Sequence, residues 1–405
     1  MKSFFCIFNI IKMISQILRK ELCNKSYIKI QMGKHSIEND NFDKYKKIEK
    51  RENLNKKNTN KKKNKFLRVL KVIGIIFLIL ILLASGVAIG GYLYVRNNLL
   101  GSMNYVEIKK EDIEVNEGVE EELKGYRTIA LFGVDSREDE LQSGTRSDGI
   151  ILATVDQKNK TVKLVSVYRD TYLQISGGSL DKVTHAYAYG GAAKSISTLN
   201  TNLDLNITEF ATVNFDSLVD IVDTIGGVQI KIEPEEVKYI NDYITATGQI
   251  VGKSSKTIPQ AGTYTLDGVQ AVAYSRIRYT AGGDYKRTER MRTVLAAIGN
   301  KAKTLNITQL NNLAKIILPK VYTNISSDEI ISMLPQVATY KISDSIGWPY
   351  EVKGTTIGGV WYGVPVTLEE SVKRLHKEIY GQEDYEVSEK VKLISNSIIN
   401  KTGIK

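Results

Sequence analysis

The chain has 405 residues, room for one large domain or two small ones, and carries 56 Lys and Arg against 45 Asp and Glu. That basic balance is local, because residues 1–71 hold 20 basic against 6 acidic side chains and residues 72–405 come to a net of −3. A folded part with no basic excess lacks the electrostatic footprint of nucleic-acid binding, and with the two cysteines at Cys6 and Cys23 no disulfide or thiolate site can form beyond them.

Taken in order, residues 1–71 read as a basic, mostly disordered tail, since Lys, Asn, Asp and Glu dominate 33–65 and cannot bury a core. Residues 1–31 mix apolar and basic side chains. They read either as an amphipathic interfacial helix or as an upstream extension ahead of Met32. Residues 72–95 carry no charge and are long enough to span ~30 Å of hydrocarbon. Lysines and arginines crowd the N-terminal side of this run, so a single transmembrane helix is expected in the cell membrane, with the N-terminus cytoplasmic and the remainder extracellular. Residues 96–124 form an acidic linker, and 125–305 and 306–405 are expected as a catalytic domain and a C-terminal extension packed on it.

The folded part opens with an apolar run, Thr128 to Val134, that ends at Asp135 and reads as a buried strand. Asp148 to Val155 and Thr161 to Tyr168 are two further strands joined by a polar turn. A helix is expected over Ala192–Leu203, a strand over Phe210–Asn214, a helix over Phe215–Ile225 stopped by Gly226-Gly227, and a strand over Val228–Ile232. Residues 240–264 read as a loop or small hairpin and Leu266–Ala273 as a helix. Arg276 and Arg278 have the spacing of one strand face, and Ala281-Gly-Gly283 forms a turn. Arg287 and Arg290 sit on one side of a helix that runs to Leu305. Helix Asp328–Leu334, strand Val337–Ile342 and helix Leu368–Ile379 close the chain. The class is α/β (or α+β), with a mixed central sheet flanked by helices on both faces.

Four guanidiniums folded together repel one another unless an anion lies between them, and a diphosphate offers the forked acceptors they fit. Arg146 and Arg169 stand near the strand ends that carry Asp135 and Asp148. Two carboxylates facing phosphate oxygens suit Mg²⁺, with Mn²⁺ as a substitute. Either Asp alone is as readily a strand cap or an arginine partner. A lone arginine, Arg127, Arg137 or Arg292, is expected as a surface ion pair. Asp181, Lys182 and His185 form a smaller polar group in which His185 reads as a satisfied rim histidine. With His35, His185 and His376 as the only histidines, a His-based zinc centre is excluded, and no nucleophile elbow or phosphate-binding lysine loop occurs.

The motifs Leu131-Phe-Gly-Val-Asp-Ser-Arg137, Arg146-Ser-Asp148, Ser166-Val-Tyr-Arg-Asp170 and Lys182-Val-Thr-His-Ala-Tyr187 occur in that order. Asn214-Phe-Asp216 through Gly226-Gly-Val228, Tyr274-Ser-Arg-Ile-Arg278 and Gly283-Asp-Tyr-Lys-Arg287 follow. Together, over about 126–305, they resemble the LytR–CpsA–Psr family of membrane-anchored cell-wall enzymes. The resemblance implies a phosphotransferase that moves a glycopolymer, of teichoic acid or capsule type, from undecaprenyl pyrophosphate to a peptidoglycan sugar hydroxyl. Carried over by motif, Asp135 and Asp148 would hold Mg²⁺. Arg146, Arg169, Arg276, Arg278, Arg287 and Arg290 would bind the diphosphate, Lys182 more weakly, and Asp170 would orient an arginine or accept a proton. Asp135, Asp148, Arg169, Asp170, Arg276 and Arg278 form the catalytic set. The lipid further implies an apolar tunnel beside the arginines. One departure stands out: Met291 follows Arg290, where the family often has glutamine. A lipid-diphosphate sensor without transfer activity, or a membrane-bound transcriptional regulator, are the competing classes.

Overall fold

The computed structural model describes residues 104–135 and 141–405. The apolar run at 72–95 and Arg137 lie outside them. No helix among the described residues is long and apolar enough to cross a membrane.

The described part opens with a short strand, β1 (Asn104–Tyr105), and one helical turn, α1 (Val119–Glu122). β2 (Tyr126–Val134), β3 (Ser147–Asp156) and β4 (Thr161–Val167) then form an antiparallel meander. Asp156 closes the second turn by accepting from the backbone N–H groups of Lys158 and Asn159. A hairpin of β5 (Tyr172–Gln174) and β6 (Leu180–Lys182) leads into α2 (His185–Leu203). This helix bends at Gly190–Gly191, where Gly191 has φ 62° and lies so close to the Gln142 carbonyl that a Cβ could not fit.

β7 (Glu209–Val213) precedes α3 (Phe215–Thr224), which the Asn214 side chain caps by accepting from the Ser217 backbone. β8 (Val228–Ile232) pairs with β9 (Gly262–Leu266), and α4 (Pro234–Val251) lies between them in the chain. α5 (Gly268–Arg276) and α6 (Gly283–Ala302) follow. Beyond them come α7 (Ile307–Ile317), β10 (Tyr322–Thr323), α8 (Ser327–Met333) and β11 (Lys341–Trp348). The chain closes with the hairpin β12 (Val352–Ile357)–β13 (Val360–Pro365), α9 (Leu368–Tyr380) and α10 (Glu389–Thr402).

Seven strands make one mixed sheet in the order β1-β10-β7-β2-β3-β4-β11. One face buries Ala130, Phe132, Val134, Ile150 and Leu152 against α2, α9 and α10 in a single hydrophobic core. The opposite face carries Leu131, Gly133, Gly149 and Ile151 towards α3 and α6. A second, separate core fills the space among α3, α4, α5, β8 and β9. The mixed sheet with helices on both faces is the expected architecture.

Three local expectations are corrected. Residues 240–251 are helical rather than loop or hairpin: Glu233 and Glu236 form a capping box around Pro234, and Glu236, Ile240, Ile244 and Thr247 make the buried stripe of α4. Arg276 and Arg278 share no strand, because a second capping box from Asp267 and Gln270 starts α5 and Arg276 is its last residue. The chain turns extended at Ile277, and that break brings Arg278 back to the same side. The strand expected at Val337–Ile342 is β11 and starts only at Lys341, after a 3-10 turn over Leu334–Thr339. The final hundred residues also supply two strands of the sheet and two helices of its main core.

Candidate active site

At the end of the sheet where β2 gives way to Asp135, a cleft of about 580 Å³ is lined by Arg146, Arg169, Arg276, Arg278 and Arg287, with Asp135 and Asp148. Five guanidiniums face two carboxylates there, an excess of three positive charges. The arginines come from four parts of the chain: Arg146 from the loop before β3, Arg169 from the end of β4, Arg276 and Arg278 from the end of α5 and just past it, and Arg287 from the second turn of α6. Asp148 is their hub. Its Oδ1 lies 2.7 Å from Arg169 Nη1, its Oδ2 3.9 Å from Arg278 Nη2, and its backbone carbonyl accepts from Arg287 Nη2 at 3.4 Å.

Several of these arginines keep unused hydrogen-bonding capacity. The Nε atoms of Arg169 and Arg287 are buried with no hydrogen-bond partner. Arg287 Nε is 3.5 Å from Asp284 Oδ1, an ion-pair distance too long for a hydrogen bond. Arg276 donates to Thr247 Oγ1 at 2.9 Å, and its guanidinium lies over the Phe215 ring at 4.7 Å. Burial lowers the pKa of Arg276 from its ordinary value, an effect that Asp135 partly offsets. Buried cations with spare donors are arranged for an anion with several oxygen acceptors.

Not every expected residue reaches the cleft. Asp170 and Lys182 sit one step behind it: Lys182 Nζ is 2.8 Å from Asp170 Oδ1, which lies 4.0 Å from Arg169 Nε. The pair backs Arg169. Arg290 turns into the interior, giving Nε to Glu236 at 2.7 Å, Nη1 to the Ile277 carbonyl and Nη2 to Thr280. With these three bonds made inside the protein, Arg290 does not line the cleft. Arg292 is no surface ion pair either; it is buried and donates to Ser166. Arg127 does form an ion pair, a half-buried bidentate one with Glu209. His185 is satisfied by Asp181 at 2.9 Å, as a rim histidine should be. Although burial pushes the Asp181 carboxyl up, hydrogen bonds from His185 and Tyr189 hold it below its ordinary value.

An apolar cavity of about 190 Å³ opens from the same place and shares Asp148, Phe215 and Met291 with the cleft. Its floor is the sheet face at Leu131, Gly133, Gly149 and Ile151, and its roof is Leu218 and Ile221 of α3 with Val294, Leu295 and Ile298 of α6. Gly133 and Gly149 face each other across β2 and β3 and leave that stretch of the floor without side chains. Met291 hangs over them, its Sδ 3.3 Å from where a Cβ on Gly149 would stand. A thioether suits this apolar wall, so the departure at Met291 changes the lining rather than the fold.

Phe215, Tyr243, Tyr279 and Thr145 also line the cleft, and none was legible as a site residue. The available signal was Phe215, an apolar residue opening a helix at the same sheet edge as Asp135.

Two carboxylates reach the cleft, and no cluster of three metal-binding side chains occurs among the described residues. Such a donor set is too small for an all-protein metal cage. It matches a cation that completes its shell with water and substrate phosphate.

The model of the LytR_cpsA_psr family matches residues 92–378. The chain belongs to this family. Among LytR–CpsA–Psr relatives, it is 31% identical over 283 residues to the polyisoprenyl-teichoic acid–peptidoglycan teichoic acid transferase TagT of Bacillus subtilis, covering 68% of this chain and 84% of that protein. To the transferase TagU of Bacillus licheniformis it is 34% identical over 240 residues, 58% and 71% of the two chains. The solved structure of TagT bound to LIIa-WTA superposes with a TM-score of 0.51 at 26% identity, covering 70% of this chain and 96% of that one. A Streptococcus agalactiae protein, gbs0355, gives a TM-score of 0.53 at 26% identity, covering 68% and 93%.

Proposed function

We propose that this LytR–CpsA–Psr protein transfers a teichoic-acid-type glycopolymer from a polyprenyl diphosphate carrier, undecaprenyl pyrophosphate, to a hydroxyl of peptidoglycan. One observation carries the reading: a cleft of five arginines is continuous with an apolar cavity, sharing Asp148, Phe215 and Met291. A charged cleft alone suits any anion, and an apolar cavity alone suits any lipid. Joined at one edge, they fit a molecule that is a diphosphate at one point and a hydrocarbon at the next. The transferase names of the relatives point the same way.

In this reading the prenyl chain lies along the glycine floor, and Arg146, Arg169, Arg276, Arg278 and Arg287 hold the diphosphate oxygens. The acceptor hydroxyl oxygen bonds to the sugar-proximal phosphorus. The bond from that phosphorus to the bridging oxygen breaks, the lipid monophosphate leaves with the electron pair, and the hydroxyl proton passes to water. The guanidiniums stabilise charge as it builds on the leaving phosphate, and positioning supplies much of the remaining rate. Asp135 and Asp148 would hold Mg²⁺, or Mn²⁺ in its place, which supplies further neutralisation of the phosphate oxygens. Asp170 is a positioning residue for Arg169 rather than a base, since Lys182 engages its carboxylate. The apolar run at 72–95 would anchor the chain in the cell membrane with the cleft on the peptidoglycan side.

The test incubates the full-length protein with a polyprenyl-diphosphate-linked oligosaccharide, peptidoglycan fragments and Mg²⁺, and follows the phosphodiester-linked product by mass spectrometry. Product from the wild type and none from Arg276→Ala supports the reading. Tight lipid binding with no product would assign the chain to the sensor class instead.

A further inference from the structure

Three tyrosines stand together beside the arginine cleft, and the transfer chemistry leaves them without a task. Tyr239 and Tyr243 lie one helical turn apart on α4, and Tyr279 projects from the segment between α5 and α6. The Tyr279 ring is 6.0 Å from Tyr239 and 6.4 Å from Tyr243. Tyr279 is 73% exposed, the most exposed of the large apolar and aromatic side chains in the described residues. Soluble surfaces rarely display aromatic clusters without a partner.

The cluster is held by design of the interior. Arg290, buried beneath it, donates to Glu236 of α4 at 2.7 Å and, on its other side, to the Ile277 carbonyl and Thr280 Oγ1. Glu236 is one turn before Tyr239, and Ile277 and Thr280 bracket Tyr279. One guanidinium therefore fastens together the two segments that carry the three rings. A buried ion pair is costly to desolvate and contributes little net stability, but it fixes geometry well.

Position identifies the occupant. Tyr243 and Tyr279 line the arginine cleft, whereas neither lines the apolar cavity. With a prenyl chain in that cavity and its diphosphate among the arginines, whatever is attached to the far phosphate emerges past the part of the cleft where the tyrosines stand. Flat aromatic faces with a hydroxyl at the edge match a pyranose ring, which offers axial C–H groups on one face and hydroxyls around its rim. We propose that Tyr239, Tyr243 and Tyr279 form a saccharide platform that binds the phosphate-proximal sugars of the donor. It rests on the transferase reading and assigns to that site the recognition of the polymer's first sugars.

Two probes test it on the full-length chain: geranylgeranyl diphosphate, and the same lipid diphosphate carrying N-acetylglucosamine. Wild type is expected to prefer the sugar-bearing probe. Tyr279→Ala and Tyr239→Ala should each reduce that preference, Tyr279→Ala by about tenfold, while Tyr279→Trp keeps it. Truncating so exposed a ring leaves the fold in place, which thermal unfolding will verify. Equal affinity of the wild type for both probes overturns the platform and leaves the transferase reading standing. Retention of the preference in Tyr279→Ala does the same. If the wild type binds neither probe, the transferase reading fails and the platform falls with it.

Discussion

The two faces of the sheet are built from the same kinds of residue and do different things. Along β2, Ala130, Phe132 and Val134 are sealed against α2, α9 and α10, and the Phe132 ring lies 5.2 Å from that of Tyr187. The intervening Ile129, Leu131 and Gly133 are as apolar in character but only half-buried. On their side the sheet borders the cavity beside Met291 and, further along, a second one of about 460 Å³ lined by Ile129, Val155, Val162 and Ile342. An apolar run in a strand thus has two meanings here. One face is core, and the other borders cavities roofed in part by α3 and α6.

The sharpest way to break this comparison is to alter the charged mouth of the open face. Asp148→Ala and Arg276→Ala are expected to lower transfer by about 10³-fold while the urea unfolding midpoint stays near wild type. Wild-type rates from either variant would remove the cleft from the chemistry. Next in size is the contrast between neighbours. Phe132→Ala should cost about 3–5 kcal/mol of stability, whereas Leu131→Ala, on the open face, should cost about 1 kcal/mol. Equal losses in chemical denaturation would show the two faces to be equivalent.

A smaller effect separates space from packing. Gly149→Ala adds a methyl group to the cavity floor, and Met291 Sδ, 3.3 Å from it, must give way. Prenyl diphosphate affinity should fall about tenfold with little change in melting temperature, measured by titration and calorimetry. The smallest effect belongs to the closed face, where His376 is buried between Tyr385, Gln382 and the Leu203 carbonyl. Burial lowers its pKa below the ordinary histidine value. Between those two values the unfolded chain takes up a proton that the folded protein refuses. Stability is therefore complete above the ordinary value and is lost as pH falls through the folded one. Unfolding midpoints at pH 7 and pH 5 should differ in wild type and converge in His376→Gln; an unchanged pH dependence would assign it elsewhere.

Much of this was legible beforehand. Uninterrupted apolar runs and polar turns set out β2 to β4, and the helical spacing from Phe215 with the stop at Gly226-Gly227 bounded α3 closely. α4 was lost because its exposed face carries Tyr239 and Tyr243, which blur the apolar stripe, and its last turns hold Thr245, Thr247 and Gly248, weak helix formers. A spacing of two between Arg276 and Arg278 fits a strand face and equally a helix end followed by an extended residue. The i, i+3 spacing of Arg287 and Arg290 left them only ~60° apart around the helix. At a cleft's edge, that rotation is the difference between facing a ligand and facing Glu236. Of the site, the strand-end carboxylates and most arginines were readable as neighbours, since each falls beside the end of an apolar strand or within the arginine-rich segment. The aromatic residues were not, because a tyrosine looks the same in a core as on a rim.

The place of α10 in the main core has a consequence for how the molecule is made. β2 is complete by Val134, yet α10, which belongs to the core on its closed face, is not made until Glu389–Thr402. A chain synthesised from its N-terminus therefore carries Phe132, Phe210 and Trp348 in an unfinished core until α10 has emerged. A ribosome that stalls before α10 leaves that core open, a sticky sheet rather than a smaller fold.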